Sequence, residues 1–285
     1  MRENKQFGPL FILIAAILWS FGGVCVKLIP WSGISISAVR GLIACIVIGL
    51  YRKSFRVHIT KAVLLAAVCT MLTTVLFMMA NKLTTSANAI VLQYTSPAFI
   101  ILFSYLFLKQ VPKKLDIIAV IGTLIGVSLF FVDQMATGKY LGDMIAIGSG
   151  VCFAGVFFAN KLPNANPIDS AFLGNMMSLL LLPFLFFDKA IPTTSPQTLL
   201  VILFMGVVQL GMGYIFFAIG IKHTSAITSS IVATMEPILN PIWVFLMVGE
   251  FPKPLSLIGC AIVLLTIVTY NLITTKQNYR TRLST

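Results

Sequence analysis

Apolar residues run along this chain in long unbroken blocks, without the alternation of a half-buried strand. The blocks fall at about 8–27, 33–51, 62–81, 86–108, 115–133, 142–160, 168–187, 197–219, 225–248 and 255–274, separated by short segments rich in Lys, Arg, Pro and Gly. A helix of roughly 20 apolar residues spans a hydrocarbon core of about 30 Å. Lipid offers the backbone no hydrogen-bond partners, and the blocks lack the dyad pattern of a membrane barrel. The pattern therefore predicts an all-α multi-pass membrane protein with ten transmembrane helices and no room for a soluble domain. Arg2 and Lys5 precede the first block, as in a signal peptide. That block is too long for a signal-peptide core and no small-residue cleavage site follows, so an uncleaved span is expected.

The blocks also repeat. Moving the chain by 140 residues places Lys82 on Lys222, Thr84 on Thr224, Pro97 on Pro237, Leu106 on Leu246, Pro112 on Pro252 and Lys113 on Lys253. Leu115, Ile118 and Leu124 then meet Leu255, Ile258 and Leu264, all without a gap. Apolar matches carry little weight in membrane helices, but matching prolines beside matching short basic loops carry more. Residues 1–134 and 135–285 are read as two five-helix repeats. Five is odd, so the second copy enters the bilayer from the opposite face. Inverted repeats are a device of secondary transporters, which bind substrate near the midplane where the copies meet and rock one half against the other.

Charge sets the orientation, because cytoplasmic loops collect Lys and Arg. With a cytoplasmic N-terminus, only Lys27, Arg40, Lys82, Lys139, Lys189 and Lys253 of the 20 basic residues fall at the outer ends. Both termini are thus expected inside, with the chain multi-pass in the cell (inner) membrane. The lipid bilayer accounts for the net charge of +12, and nucleic acid is not an expected partner. Cys25, Cys45, Cys69, Cys152 and Cys260 lie inside apolar blocks without ligand spacing and read as small packing residues. No cofactor or metal is expected. His58 and His223 fall in loops, and no Walker motif, HExxH or Ser/His/Asp set occurs. Direct ATP drive and membrane enzymology are therefore not expected.

Several short motifs occur in an order that resembles a known family. They are Trp19-Ser20-Phe21-Gly22-Gly23 through Lys27, Ser37-Ala38-Val39-Arg40, Thr84-Thr85-Ser86-Ala87, Thr224-Ser225-Ala226, Met235-Glu236-Pro237 and Gly249-Glu250. Together with the repeat they resemble the drug/metabolite transporter superfamily, EamA-like branch, over nearly the whole chain. Lys109-Gln110 departs from the pattern where the second repeat has Gly249-Glu250, and Phe153-Ala154 stands where many relatives carry Trp. The resemblance implies a solute such as an amino acid, a nucleobase or nucleoside, or an amphipathic cation, and export as the commoner direction.

Glu236 is the sharpest candidate, because an ionisable residue at bilayer depth marks a functional site by default. Three roles stay open: binding a cationic group of the solute, carrying a proton that couples transport to a gradient, or bonding backbone freed by Pro237 and Pro241. Asn240 follows one turn later. The fourth span mirrors the ninth: Gln93 and Tyr94 sit at mid-depth before Pro97, with Asn88 earlier. Pro97, Pro237 and Pro241 are the candidate helix breaks, and broken helices at matching depths point to a transporter site. Trp19 lies too deep for the interfacial belt and reads either as a stacking platform or as packing. Gln209 and Tyr214 stand mid-span among glycines. Asn160 and Asn175 suit interhelical bonding, and Thr228-Ser229-Ser230 reads as cavity lining or as bonding to its own helix. Arg40 reads as snorkelling outward, with carboxylate binding or a pair with Glu250 as alternatives. Gly122 and Gly126, like Gly41, Cys45 and Gly49, suit close packing, and a homodimer through the fifth helix is carried as a hypothesis. The expected function is alternating-access transport of a small-molecule substrate, with nutrient uptake or passive facilitation, and a membrane enzyme or non-transporting sensor, as the alternatives.

Overall fold

The computed structural model describes residues 7–109, 111–135, 140–160, 162–223, 232–233, 235–251 and 253–283. It is helical throughout, with no strand among the described residues. In chain order the helices are α1 Gly8–Ser20, α2 Gly22–Leu28, α3 Gly33–Arg52, α4 Lys61–Leu83, α5 Ser86–Gln93, α6 Ser96–Leu108, α7 Lys114–Met135 and α8 Tyr140–Ala159. Then come α9 Pro167–Met177, running into a 3-10 stretch Ser178–Phe187, and α10 Pro196–Phe204, running into a π-helical stretch Met205–Met212. The chain continues with α11 Gly213–His223, α12 Met235–Val248 and α13 Pro254–Leu283. Seven segments among the described residues are long and apolar enough to cross a membrane, from Gly8–Leu28 to Pro196–Gly220, and Met235–Val248 and Leu257–Tyr270 are shorter apolar helices.

Local chemistry starts these helices. Ser32, Thr60, Thr85, Asn166 and Ser195 each accept a bond from the backbone N–H three residues on. Each such cap contributes roughly 1 kcal/mol by satisfying an otherwise orphaned donor. Pro167 and Pro196 open α9 and α10, where a missing N–H costs nothing. In the loop after the 3-10 stretch, Asp188 accepts from the backbone N–H of Ser32 at 2.7 Å and of Ala190 at 3.1 Å. Burial alone would raise the Asp188 carboxyl. Bonds from the Ser35 side chain, these two amides and the Ser32 side chain hold it below the usual carboxylate range instead.

Several spans are less regular than their apolar blocks suggest. The first is interrupted at Phe21, between α1 and α2. The fourth breaks at Tyr94 and Thr95, and Pro97 occupies the first turn of α6, so the proline starts the new helix after the break. Pro237 lies two residues into α12, which starts just after Thr234, a residue outside the described residues. Pro241 lies inside α12, which continues through it to Val248; the expected break at that residue is not formed. Lys109 and Gly249, one repeat apart, both end their helices in left-handed backbone, at φ 53° and 72°. The sequence departure at Lys109 therefore leaves the backbone geometry of the turn unchanged. Thr228, Ser229 and Ser230 lie outside the described residues.

Packing is carried by small residues. Gly122 and Gly126 of α7 face Thr266, Val263 and the carbonyl of Gly259 on α13 of the same chain. That stripe is filled from within and is not open to a second copy. Gly206 and Gly211 admit Ile43 and Val47 of α3, holding the π-helical stretch against that helix. The five cysteines form no disulfide. The main hydrophobic core runs from α2 to α5 and on into α7, α8, α10, the π-helical stretch, α12 and α13, with Trp31, Ile36, Ile90 and Met205 among its buried residues.

Candidate functional site

A cavity of about 110 Å³ lies where α1, α3, α4, α5, α8, the π-helical stretch, α11 and α12 converge. Its polar lining includes Arg40, Thr73, Gln93, Gln209 and Glu236, set among Trp19, Phe77, Phe153, Phe157, Tyr214 and Phe217. Five of the seven residues expected from sequence to bind substrate therefore meet: Trp19, Gln93, Gln209, Tyr214 and Glu236. Two others do not line the cavity. Tyr94 stands behind Glu236, and Asn240 is fully buried against Gly23 with neither amide atom hydrogen-bonded.

The Glu236 carboxylate is 8% exposed, and its Oε2 accepts from the Tyr94 hydroxyl at 2.7 Å. The same hydroxyl lies 3.3 Å from the carbonyl of Ala233. A hydroxyl has one hydrogen to give, and the shorter contact, to the carboxyl oxygen, takes it. This bond joins the break of the fourth span to the start of α12. Gln93, next to Tyr94, donates to Ser149 at 3.1 Å, and Ser149 donates to the carbonyl of Thr73 at 3.0 Å. A single polar chain thus crosses α5, α8 and α4.

Arg40 overturns its sequence reading. It is 2% exposed and points inward to the cavity, so it does not snorkel. The helix places it on a face covered by α4 and the π-helical stretch, which leaves no route to the membrane surface. Nη1 donates to Gln209 Oε1 and Nη2 to the carbonyl of Thr74, both at 3.3 Å, while Nε has no partner. No ion pair reaches Arg40 among the described residues. Gln209 is itself held by donating to the Trp19 carbonyl at 3.2 Å. The indole of Trp19 packs edge-on to Tyr214 at 5.4 Å and tilted to Phe217 at 5.3 Å, and its Nε1 is buried without an acceptor. Gly213 lies directly beneath that indole, and a side chain there would collide with the ring. π-Helical turns are rare and concentrate at functional sites; this one carries Gln209.

Glu250, the alternative partner for Arg40, is engaged elsewhere. It pairs with Lys27 at 2.8 Å and accepts from the Ser86 N–H at 2.7 Å. Lys27 also donates to the carbonyl of Thr84 at 2.9 Å. Thr84 donates to Asp143 at 2.6 Å, and Asn88 donates to the same carboxylate. Lys82 donates to the carbonyl of Ile29. These contacts stitch one end of the bundle together. The cavity extends the other way, towards Asn160 and Pro167, where Thr60 meets the carbonyl of Asn164. There Arg52 pairs with Asp169 at 2.5 Å and lies over the Phe172 ring. Asn160 bonds Val156 and Ser170, and Asn175 bonds back to Ala171 of its own helix.

The sequence profile of the EamA-like transporter family matches residues 6–132 and again residues 140–272. The chain belongs to the EamA-like transporter family. Relatives of this family member include an uncharacterized transporter of Clostridium kluyveri, 26% identical, with 93% of each chain covered. The uncharacterized transporter YwfM of Bacillus subtilis is 27% identical over 94% of this chain and 95% of its own. The pseudopaline exporter CntI of Pseudomonas aeruginosa is 26% identical over 64% of each chain. A crystal structure 18% identical in sequence superposes with a TM-score of 0.64, covering 94% of this chain and 98% of the other, which shows a shared fold. This EamA-like chain is a multi-span membrane protein of a transporter family.

Proposed function

We propose that the protein is a ten-helix secondary transporter of two inverted five-helix repeats, moving a small organic solute across the cell membrane by alternating access. The observation that carries the reading is the composition of the central cavity. Residues 1–134 supply Trp19, Arg40 and Gln93, and residues 135–285 supply Gln209, Tyr214 and Glu236. Buried polar and ionisable groups from both halves converge at mid-depth, where repeat transporters hold their substrate.

The packing supports the repeat. The third span α4 packs on the sixth, α8, and the eighth span's α11 packs on the first, α1. Exchanging the two five-span halves turns the first contact into the second. The fifth span α7 packs on the tenth, α13, a contact that maps onto itself. With both termini cytoplasmic, the stitched end with Lys27 and Glu250 faces outward and the cavity leads inward. An inward-leading cavity serves either direction of alternating access; export is adopted because it is the direction named for CntI. Amino acids, nucleosides and amphipathic cations are the classes to test.

The experiment uses purified protein in sealed liposomes with an internal pH dye, reading solute flux and pH together for wild type and Glu236→Gln. Flux with a linked pH change that the variant loses supports a proton-coupled carrier with Glu236 as the coupling site. Flux without a pH change makes it a facilitator and leaves Glu236 as architecture. No flux for any class overturns the transport reading.

A further inference from the structure

A groove of about 400 Å³ runs between α6 and α7 and shares no lining residue with the central cavity. It exists because α6 packs on α8 and α7 packs along α13, while α6 and α7 meet only briefly. Leu102 and Tyr105 of α6 and Ile117, Ile121 and Leu124 of α7 line it, and Ile147 of α8 closes its floor. Besides Tyr105, only Thr95 and Thr123 bring hydroxyls to the lining, and both are spent. Thr95 donates to the carbonyl of Leu92 at 2.6 Å and Thr123 to that of Ala119 at 2.8 Å. A polar molecule would lose its hydration there without new bonds, so the groove suits an apolar occupant.

The two ends of the groove differ. One is Thr95, in the break of the fourth span; the other is Pro112, in the turn before α7. Along α7 the lining runs from Ile117 to Val127, about 15 Å at 1.5 Å per residue. A hydrocarbon core is about 30 Å thick, so the groove is one leaflet deep. At the Pro112 end Lys109, Lys113 and Lys114 are exposed, and no ion pair reaches them among the described residues. Asp116 does not neutralise them: it accepts from the Lys113 backbone N–H at 2.7 Å and from the Tyr270 hydroxyl at 2.8 Å. This basic end belongs to the first repeat, since Gly249, Lys253 and Pro254 stand at the matching positions of the second. Lys109 even occupies left-handed backbone, at φ 53°, where glycine is the unstrained residue and Gly249 is its counterpart. A lysine kept at a strained position beside two others points to an anion at the mouth of the groove.

We infer that the groove between α6 and α7 holds one acyl chain of an anionic phospholipid, whose phosphate rests on Lys109, Lys113 and Lys114. With both termini cytoplasmic, this turn meets the inner leaflet, whose anionic lipids attract exposed lysines. The chain end reaches Thr95, next to Tyr94, so the lipid braces the break that carries the Tyr94–Glu236 bond. The site lies apart from the proposed solute cavity and does not depend on the transport reading.

The test uses the full chain in nanodiscs carrying phosphatidylglycerol or phosphatidylcholine with a photoreactive group midway along one acyl chain, and maps the labelled peptides. Phosphatidylglycerol should label residues 98–105 and 117–127 above the other lipid-facing helices and more strongly than phosphatidylcholine does. That preference should fall about fivefold for each of Lys109→Gln, Lys113→Gln and Lys114→Gln. Ala98→Phe, which fills the groove, should remove the label there and leave labelling elsewhere unchanged; Val120→Phe serves if that variant fails to fold. Glycerol phosphate, a headgroup without chains, should not displace the label. Equal labelling by the two lipids, or an even spread over all lipid-facing helices, would overturn the inference. So would a preference that survives the triple lysine variant, or label that persists in the filled groove. Displacement by glycerol phosphate alone would reduce the lysines to a phosphate site and overturn the acyl-chain assignment.

Discussion

Removing the Tyr94 hydroxyl deletes one hydrogen bond and strands one oxygen of Glu236, and a double-mutant cycle isolates that effect. The cycle is Tyr94→Phe, Glu236→Ala and the pair together. Hydrogen bonds to charged groups contribute about 1.5–3 kcal/mol. Polar pairs between membrane helices average about 0.6 and reach about 1.7 kcal/mol, because helices separated within the membrane find other partners. Here the contact is 2.7 Å, the residues are 7% and 8% exposed, and they lie 142 positions apart in the chain. Helices released from the bundle cannot keep such a long-range bond, so a coupling near the top of the membrane range, about 1.5 kcal/mol, is expected. The assay is unfolding in mixed micelles of detergent and denaturing surfactant, monitored by helicity. The two single variants should each destabilise, and the double variant should cost less than their sum. Additivity within about 0.3–0.5 kcal/mol would show that the bond does not hold the α5 break to α12.

Glu236→Gln should flatten the pH dependence of solute flux at normal expression; an unchanged profile at normal rate would remove proton coupling at that residue. Gly249→Ala should destabilise by about 1 kcal/mol, since at φ 72° a side chain is strained although nothing lies within reach of it. Lys109→Gly should stabilise by a similar amount at its matching left-handed turn, and shifts of the same sign in the two unfolding midpoints would contradict this. Asp188 has a depressed carboxyl, so its contribution to stability is present above the ordinary carboxylate range and is lost as pH falls through its folded value. Asp188→Asn should therefore lower stability at pH 7 but not at strongly acidic pH, and an equal loss at both would refute the assignment of its bonds.

Apolar blocks and the 140-residue match made the helices and the family legible, because lipid constrains composition more tightly than water does. The candidate site was half legible. Glu236, Tyr94, Gln93, Trp19 and Gln209 stood out as polar or large groups at mid-depth, but their pairing did not. Nothing in the chain says that Tyr94 meets Glu236 and that Glu250 meets Lys27, because long-range partners depend on how spans pack. Arg40 was misread for the same reason. Its depth allowed snorkelling, and only the cover from α4 and the π-helical stretch forbids it. That stretch left no trace in hydropathy, since backbone bonding can change without any change in apolarity. Asn240 shows the converse: a polar residue at the right depth, on the face turned towards Gly23 and away from the cavity.

The Lys27–Glu250 pair differs from its neighbours in being within reach of the medium. Its side chains are 18% and 23% exposed, whereas Thr84 and Asp143 beside it are 4% and 0% exposed as residues. Dissolved ions screen charges over about 8 Å at physiological strength and about 3 Å at 1 M. Salt on that one face of the membrane therefore loosens the exposed pair and leaves the buried contacts intact, while salt on the opposite face does not touch it. In the proposed alternating-access cycle, the ionic strength of a single compartment would then set how readily that end opens, with no change in the proposed solute cavity.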